Sequence, residues 1–170
     1  PPHSDPRYAA LVQLLAVNDG NALLESANIV PSQALQNSAA LAVRPPINTP
    51  FPANNQLGAQ LREVAQIIKL NQSSLGLRRQ FFFCSLGGFD LHNGQVTAAN
   101  PTTGAHANLL DQLSSAMRAF YAATEEIGAA AQVTTFTLSD FGRTFTPNNG
   151  AGTDHAWGSH HFIMGGSVRG

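Results

Sequence analysis

Two short runs, QFFFCSL (80–86) and VTTFTLS (133–139), flank one long amphipathic stretch, and this order constrains the fold more than any other feature of the chain. The stretch carries Leu109, Leu110, Leu113, Met117, Phe120, Tyr121 and Ile127 at helical spacing and ends near Gly128. QFFFCSL is apolar on both alternating faces, as in a strand covered on both sides. Strand, helix, strand predicts a βαβ unit, whose strands run parallel through a right-handed crossover. Both strands then end at one edge of the sheet, and ligands in open α/β sheets bind outside such edges. HFIMGG (161–166) reads as a third strand. The expected fold class is α/β.

The rest of the chain reads as helices and loops. Asp5-Pro6 opens a helix, a capping carboxylate followed by proline at the first helical position. Tyr8, Leu11, Val12 and Leu15 continue it, and Asn18-Asp19-Gly20-Asn21 stops it. A second helix is expected over 32–43. Residues 44–55, RPPINTPFPANN, hold four of the ten prolines and form a loop, either a plain connection or one that lines a site. Leu57, Leu61, Val64, Ile67 and Ile68 predict a helix over 56–71. Three strands are few for a doubly wound sheet, which commonly holds about five or six. Residues 1–170 therefore read as a single partial domain, with a helical and loop segment over 1–55 and an α/β portion over 56–170. A missing N-terminal part of the same domain, or another chain, would complete the sheet.

At 170 residues a chain can bury roughly 70% of its unfolded surface, enough for a real core. Hydrophobic residues make up 43% and charged residues 11%, so Asn, Gln, Ser and Thr supply the polar surface. A net charge of -1, with no basic cluster, argues against nucleic acid or an anionic membrane surface as partner. No apolar run reaches the length of a membrane span, so the chain is not expected to be transmembrane. The single cysteine excludes an internal disulfide, and no CxxC pair suggests structural zinc. Cys84, inside FFFCSL, reads as a buried, inert thiol. Neither a starting Met nor a signal peptide is present, so the chain reads as processed, trimmed or partial.

The chemistry gathers in three loops. Gly87-Gly88-Phe89-Asp90-Leu91-His92 follows the first strand, and Ser139-Asp140-Phe141-Gly142-Arg143-Thr144 follows the second. The third loop holds Gly152-Thr153-Asp154-His155, then His160 and His161. Carboxylate and imidazole together suit zinc, manganese or iron, and oxygen-rich subsets suit magnesium or calcium. Asp90 and His92 stand two apart, so on a turn both reach one ion. Asp154 and His155 are adjacent and point apart in extended chain. They serve two neighbouring ions, or one ligates while the other supports it. Singly, Asp90 can cap a turn, Asp140 can cap a helix and His155 can be an ordinary loop histidine; their convergence argues for a site. One of His160 and His161 is expected to face the core, and His106 to lie exposed at a helix start. Arg143 binds an anionic substrate group through its planar fork, or forms a salt bridge with Asp140 or Asp154. No GxSxG elbow is present, and a Ser139 or Thr153 nucleophile paired with His155 has no distinctive spacing.

The segments GLRRQFFFCSLGGFDLHNGQ, LLDQLSSAMRAFYAATEEIG, VTTFTLSDFGRTFTPNNGAGTDHAWG and FIMGGSVRG, in that order, resemble the bacterial family called domain of unknown function 1501. The resemblance runs from about residue 56 to 170. Leu91 stands where threonine is usual, Asp140 where glutamate is usual and Ala156 where glycine is usual. The resemblance implies a place in the alkaline phosphatase and sulfatase superfamily, and so the C-terminal portion of an alkaline-phosphatase-like α/β/α sandwich. It also implies twin-arginine export to a periplasmic or secreted location. Asp90 and His92 look like the superfamily's first metal pair, Asp140 like its middle acid and His155 like its late histidine. A second alignment matches Asp154-His155 to an adjacent Asp-His pair, and both alignments stand. Phe141 occupies the place of a metal-binding histidine in related enzymes, so one of two metal positions could be lost.

The function implied is metal-dependent hydrolysis of phosphate or sulfate esters, with zinc the first choice of ion and manganese, magnesium or calcium behind it. Arg143 would hold a small anionic ester. The superfamily's nucleophile belongs to an N-terminal portion not found here, so this piece alone is not expected to turn over substrate. The alternative is an exported, non-catalytic binding or structural protein with a degenerate or structural metal site. A third reading is a metal-free serine hydrolase.

Overall fold

The computed structural model describes residues 5–18, 20–97 and 99–170. Asp19, part of the expected helix stop, lies outside them. The chain divides into two units. One holds the residues up to Arg44 together with Leu70–Leu77, and the other holds Pro45–Lys69 and Arg78–Gly170.

In the first unit, α1 spans Pro6–Leu15, and Asp5 caps it by accepting the N–H of Arg7. Helix α2 spans Ala22–Leu41, so the second helix begins well before the expected Ser32. The same Asn21 that ends the first helical pattern caps this one, its side chain accepting from Leu23 and Leu24. Pro31 sits inside the helix, where its missing N–H interrupts the ladder without ending it. Neither helix contains a buried residue.

The second unit has the core. Helix α3, Gln56–Leu70, opens where the buried Asn55 accepts the N–H of Gly58, a helix-capping contact. The other end of the Asn55 amide donates to the carbonyl of Gln112 on α4, Ala105–Glu126. Leu57, Leu61, Val64 and Ala65 of α3 share one buried cluster with Ala116, Phe120 and Ala123 of α4 and with Ile47. Burying side chains of this size stabilises by roughly 1.5–3 kcal/mol for each large one. Gly128 ends α4 in the left-handed region, with φ 68°, its N–H reaching Glu125 while that of Ala129 reaches Thr124. The proline-rich loop is a connection tied to the end of α4. Both oxygens of Glu126 accept from Asn48 and Thr49.

The strands are shorter than expected and pair differently. Strands β1 (Thr135–Phe136) and β4 (Ile163–Met164) pair antiparallel, as do β2 (Gly142–Arg143) and β3 (His155–Ala156). Residues 80–86 form no ladder among the described residues, so the parallel βαβ pairing is not present. The backbone of that segment is held at Ser85, whose N–H and carbonyl bond the Gln60 side chain. Phe81 and Phe83 are 95% and 92% exposed, whereas Cys84 and Leu86 pack against the core. This is one covered face, not two. A strand needs a neighbour to form its ladder, and the segment expected to pair with 80–86 pairs with β4 instead, at Thr135–Phe136. Mixed helix and small antiparallel sheets make the architecture α/β in the general sense. No helix among the described residues is long and apolar enough to cross a membrane.

Candidate metal centre

The pairing of β2 with β3 sets the site. Its register places Arg143 opposite His155, and the N–H of Thr144 reaches the carbonyl of Asp154. The loop 87–95 closes on this hairpin through two backbone bonds, Thr153 N–H to Leu91 and Gly94 N–H to Gly150. Gly152 is required at this seam, since a Cβ there would run into the carbonyl of His92.

Four of the five residues expected to ligate a metal come together. Oδ1 of Asp90 lies 2.7 Å from Nε2 of His155 and 2.9 Å from Nε2 of His92. Nδ1 of His92 lies 3.0 Å from Oδ1 of Asp154. Arg143 donates from Nη1 to Oδ1 of Asp90 at 2.8 Å and from Nε to Thr153 at 2.9 Å. Its salt bridge is thus with Asp90, not with Asp140 or Asp154. The Nη2 atom is buried with no hydrogen-bond partner among the described residues. Asp140 is exposed and shares no hydrogen bond or ion pair with the other four.

The rings form a stack. Phe141 lies against one side of His155, with centroids 4.6 Å apart and planes 9° apart, and His92 stacks on His155 at 5.0 Å. Phe141 thus packs directly on one of the candidate ligands. Ser139 bonds the carbonyl of Phe141, and Thr153 bonds Gln95 and Arg143. Neither hydroxyl is hydrogen-bonded to His155. His161 bonds Ser159, and both His160 and His161 are exposed, so neither faces the core. His106 packs edge-on to Phe89 in the first turn of α4.

The hydrogen bond from His155, and then that from Arg143, hold the Asp90 carboxyl below the usual carboxylate range. His92 and then Asn148 do the same for Asp154. Both acids are therefore ionised at neutral pH and can only accept. Nδ1 of His92 must then donate to Asp154, and a neutral imidazole carries only one N–H. A charged one carries two, so Nε2, 2.9 Å from Oδ1 of Asp90, either donates there or offers its lone pair. A lone pair facing an anionic oxygen is unfavourable until a cation lies between them.

The donor set suits such a cation. Oδ1 of Asp90 and one nitrogen from each of His92 and His155 all lie within 4.8 Å of one another. Around a tetrahedral zinc with bonds of roughly 2.0–2.1 Å, neighbouring donors sit roughly 3.3 Å apart. Oδ1 of Asp90 would need to part from the two nitrogens by roughly 0.4–0.6 Å, and all three side chains are about half exposed. Two imidazoles and one carboxylate with an open side are a catalytic zinc donor set, and Asp154 behind His92 is the supporting carboxylate such ligands commonly have.

Of the residues that organise the cluster without belonging to it, Asn148 and Gln95 were not singled out by the sequence, and Thr153 was weighed only as a nucleophile. Asn148-Asn149-Gly150 signals a turn, but nothing local tells which distant loop the turn grips.

A family model described as "Protein of unknown function (DUF1501)" matches residues 56–170. No curated protein and no solved structure matches the chain.

Proposed function

The chain belongs to the DUF1501 family, and we propose that it is a divalent-metal-dependent hydrolase of phosphate or sulfate esters, formed on the C-terminal part of an alkaline-phosphatase-like fold. One observation supports this above the rest: Asp90, His92 and His155 each bring one ligand atom within 4.8 Å of the others. Zinc fits the two nitrogens and one oxygen best; manganese accepts the same set, whereas magnesium or calcium would rely on the carboxylate. A bound ion supplies charge that polarises an ester oxygen and activates an attacking group.

Asp90, His92 and His155 would hold the ion, and Asp154 would orient His92. Arg143, which bonds Asp90 through Nη1, would hold the anionic group of a small ester. The nucleophile would come from the part of the domain that precedes these residues, consistent with the resemblance that also implies export to the periplasm. The exposed Phe81 and Phe83 favour such a completing segment, or another chain. So does an apolar groove of about 750 Å³ lined by Leu110, Leu113, Met117, Ile163, Met164 and Val168.

Metal analysis of the intact protein, with assays on aryl phosphate and aryl sulfate esters, tests the reading. The expected result is a stoichiometric ion and ester turnover that Asp90→Ala and His155→Ala abolish. No bound ion, with both variants matching wild type, would sink it.

A second reading has its own observation. Phe141 stacks on His155, and Asp140 stands apart from the cluster, which leaves donors for one ion rather than two. An exported binding protein with a structural ion would then melt in a metal-dependent way and hydrolyse no ester. Fold does not fix function, so turnover decides between the two.

A further inference from the structure

Asn148 uses every hydrogen-bonding position of its side chain. Its Oδ1 accepts the N–H groups of Gly150 at 2.9 Å and Gly152 at 3.1 Å. Its Nδ2 donates to the carbonyl of His92 and to Oδ1 of Asp154, both at 2.9 Å. Backbone amides can only donate, so the oxygen end is fixed, and the NH₂ end must face His92 and Asp154. The Asp154 oxygen it holds is the same one that receives Nδ1 of His92.

One amide thus grips both the backbone of His92 and the carboxylate that orients its ring. We infer that Asn148 is the positioning residue of the metal centre: it pins His92 so that Nε2, and not Nδ1, is presented to the ion. The inference rests on the metal-binding reading above and adds the residue that prepares the ligand before the ion arrives. Groups standing behind a ligating histidine typically change metal affinity by about 10–100-fold when removed. A purely structural role in the 148–152 turn predicts no such effect, since the turn uses Oδ1 and the Asn148 backbone N–H, which bonds the Gly152 carbonyl, but not Nδ2.

Asn148→Asp separates the two. It keeps the shape and the oxygen that accepts from Gly150 and Gly152, but turns the donor end into an oxygen facing two acceptors. The whole chain would be titrated with zinc against a chromophoric chelator. The histidine ring nitrogens of the ion-free protein would be read by long-range ¹⁵N–¹H NMR. Zinc affinity is expected to fall at least tenfold in Asn148→Asp, with His92 passing from one Nδ1–H tautomer to a mixture. Unchanged affinity and an unchanged tautomer overturn the inference. Should Asn148→Asp fail to fold, Asn148→Ser, whose hydroxyl can still accept from Gly150 but is too short to donate to His92 and Asp154, is measured in the same two ways, and the same outcomes support or overturn the inference. If the wild type binds no zinc, the metal reading fails on its own. The role of Asn148 is then decided by the ion-free spectra, where an unaltered His92 tautomer in the variant overturns it.

Discussion

Nδ1 of His92 lies 3.0 Å from Oδ1 of Asp154, a residue 62 positions further along the chain. The contact selects which ring nitrogen faces Asp90, so Asp154 would act on a bound ion without touching it. Asp154→Ala should weaken zinc binding by roughly 10–100-fold, whereas Asp90→Ala, which removes a donor, should abolish it. Chelator competition measures both, and an Asp154→Ala protein that binds like wild type would take Asp154 out of the centre.

Arg143 bonds Asp90 and Thr153 at once through two atoms of a planar fork. Lysine keeps the charge but has neither the plane nor the second fixed donor. Arg143→Lys is therefore expected to behave like a loss of function, lowering zinc affinity roughly tenfold as a lost supporting contact does. If ester hydrolysis is present, a rise in KM beyond that fall would identify an anion held by the guanidinium. An Arg143→Lys protein equal to wild type in both respects would leave Arg143 as an ordinary ion pair.

Glu126 accepts from Asn48 and Thr49, and those bonds, the Asn48 backbone N–H first, lower its carboxyl from an ordinary 4.5 to about 2. A carboxyl depressed on folding contributes stability that is present above its unfolded pKa and lost as pH falls through its folded one. The difference in Tm between wild type and Glu126→Gln should thus be constant above pH 4.5 and shrink toward nothing near pH 2. A difference that persists unchanged into acid would mean that the carboxylate charge is not what ties the 45–55 loop to α4.

Gly152 is buried at the seam between the hairpin and the 87–95 loop. A methyl group there meets the backbone of His92, a neighbour that cannot rotate away. Gly152→Ala should cost about 1–3 kcal/mol of stability, as overpacking generally does, and should weaken zinc binding with it. Urea denaturation of the ion-free protein checks the first part. A stable variant with full zinc affinity would show that the two loops need not touch.

Phe81 and Phe83 present apolar rings and unpaired backbone to water, a combination that invites strand addition. The chain by itself should self-associate at the 80–86 edge. Replacing both phenylalanines by serine should shift it toward monomer in sedimentation velocity. No change in sedimentation on that double substitution would place the sticky surface elsewhere.

Much of the helical content was legible in the sequence. The stripe from Leu57 to Ile68 and the one from Leu109 to Ile127 became α3 and α4, because helical periodicity, caps and the Gly128 stop act within a few residues of one another. The second helix was misplaced at its start, since Pro31 reads as an end while Asn21 serves both as a stop and as a cap. Pairing was not legible. The pattern of 80–86 describes a strand, but a strand's partner is a property of whatever else is present, and β1 pairs with β4 here.

For the site, composition and order gathered Asp90, His92, Asp154 and His155 into neighbouring loops, and the structure brings these four together. Asp140, equally acidic and closer in sequence to Arg143 than Asp90 or Asp154, stays outside because the turn after β1 leaves it in solvent. The sequence by itself determined which chemical groups were available and that loops would carry them, since residue type and local pattern are short-range facts. Only the tertiary structure decided which nitrogen of His92 meets which acid, that Arg143 serves Asp90, and that Asn148 holds the two together. Those choices depend on contacts made across about sixty residues of intervening chain, where no local pattern fixes distance or direction.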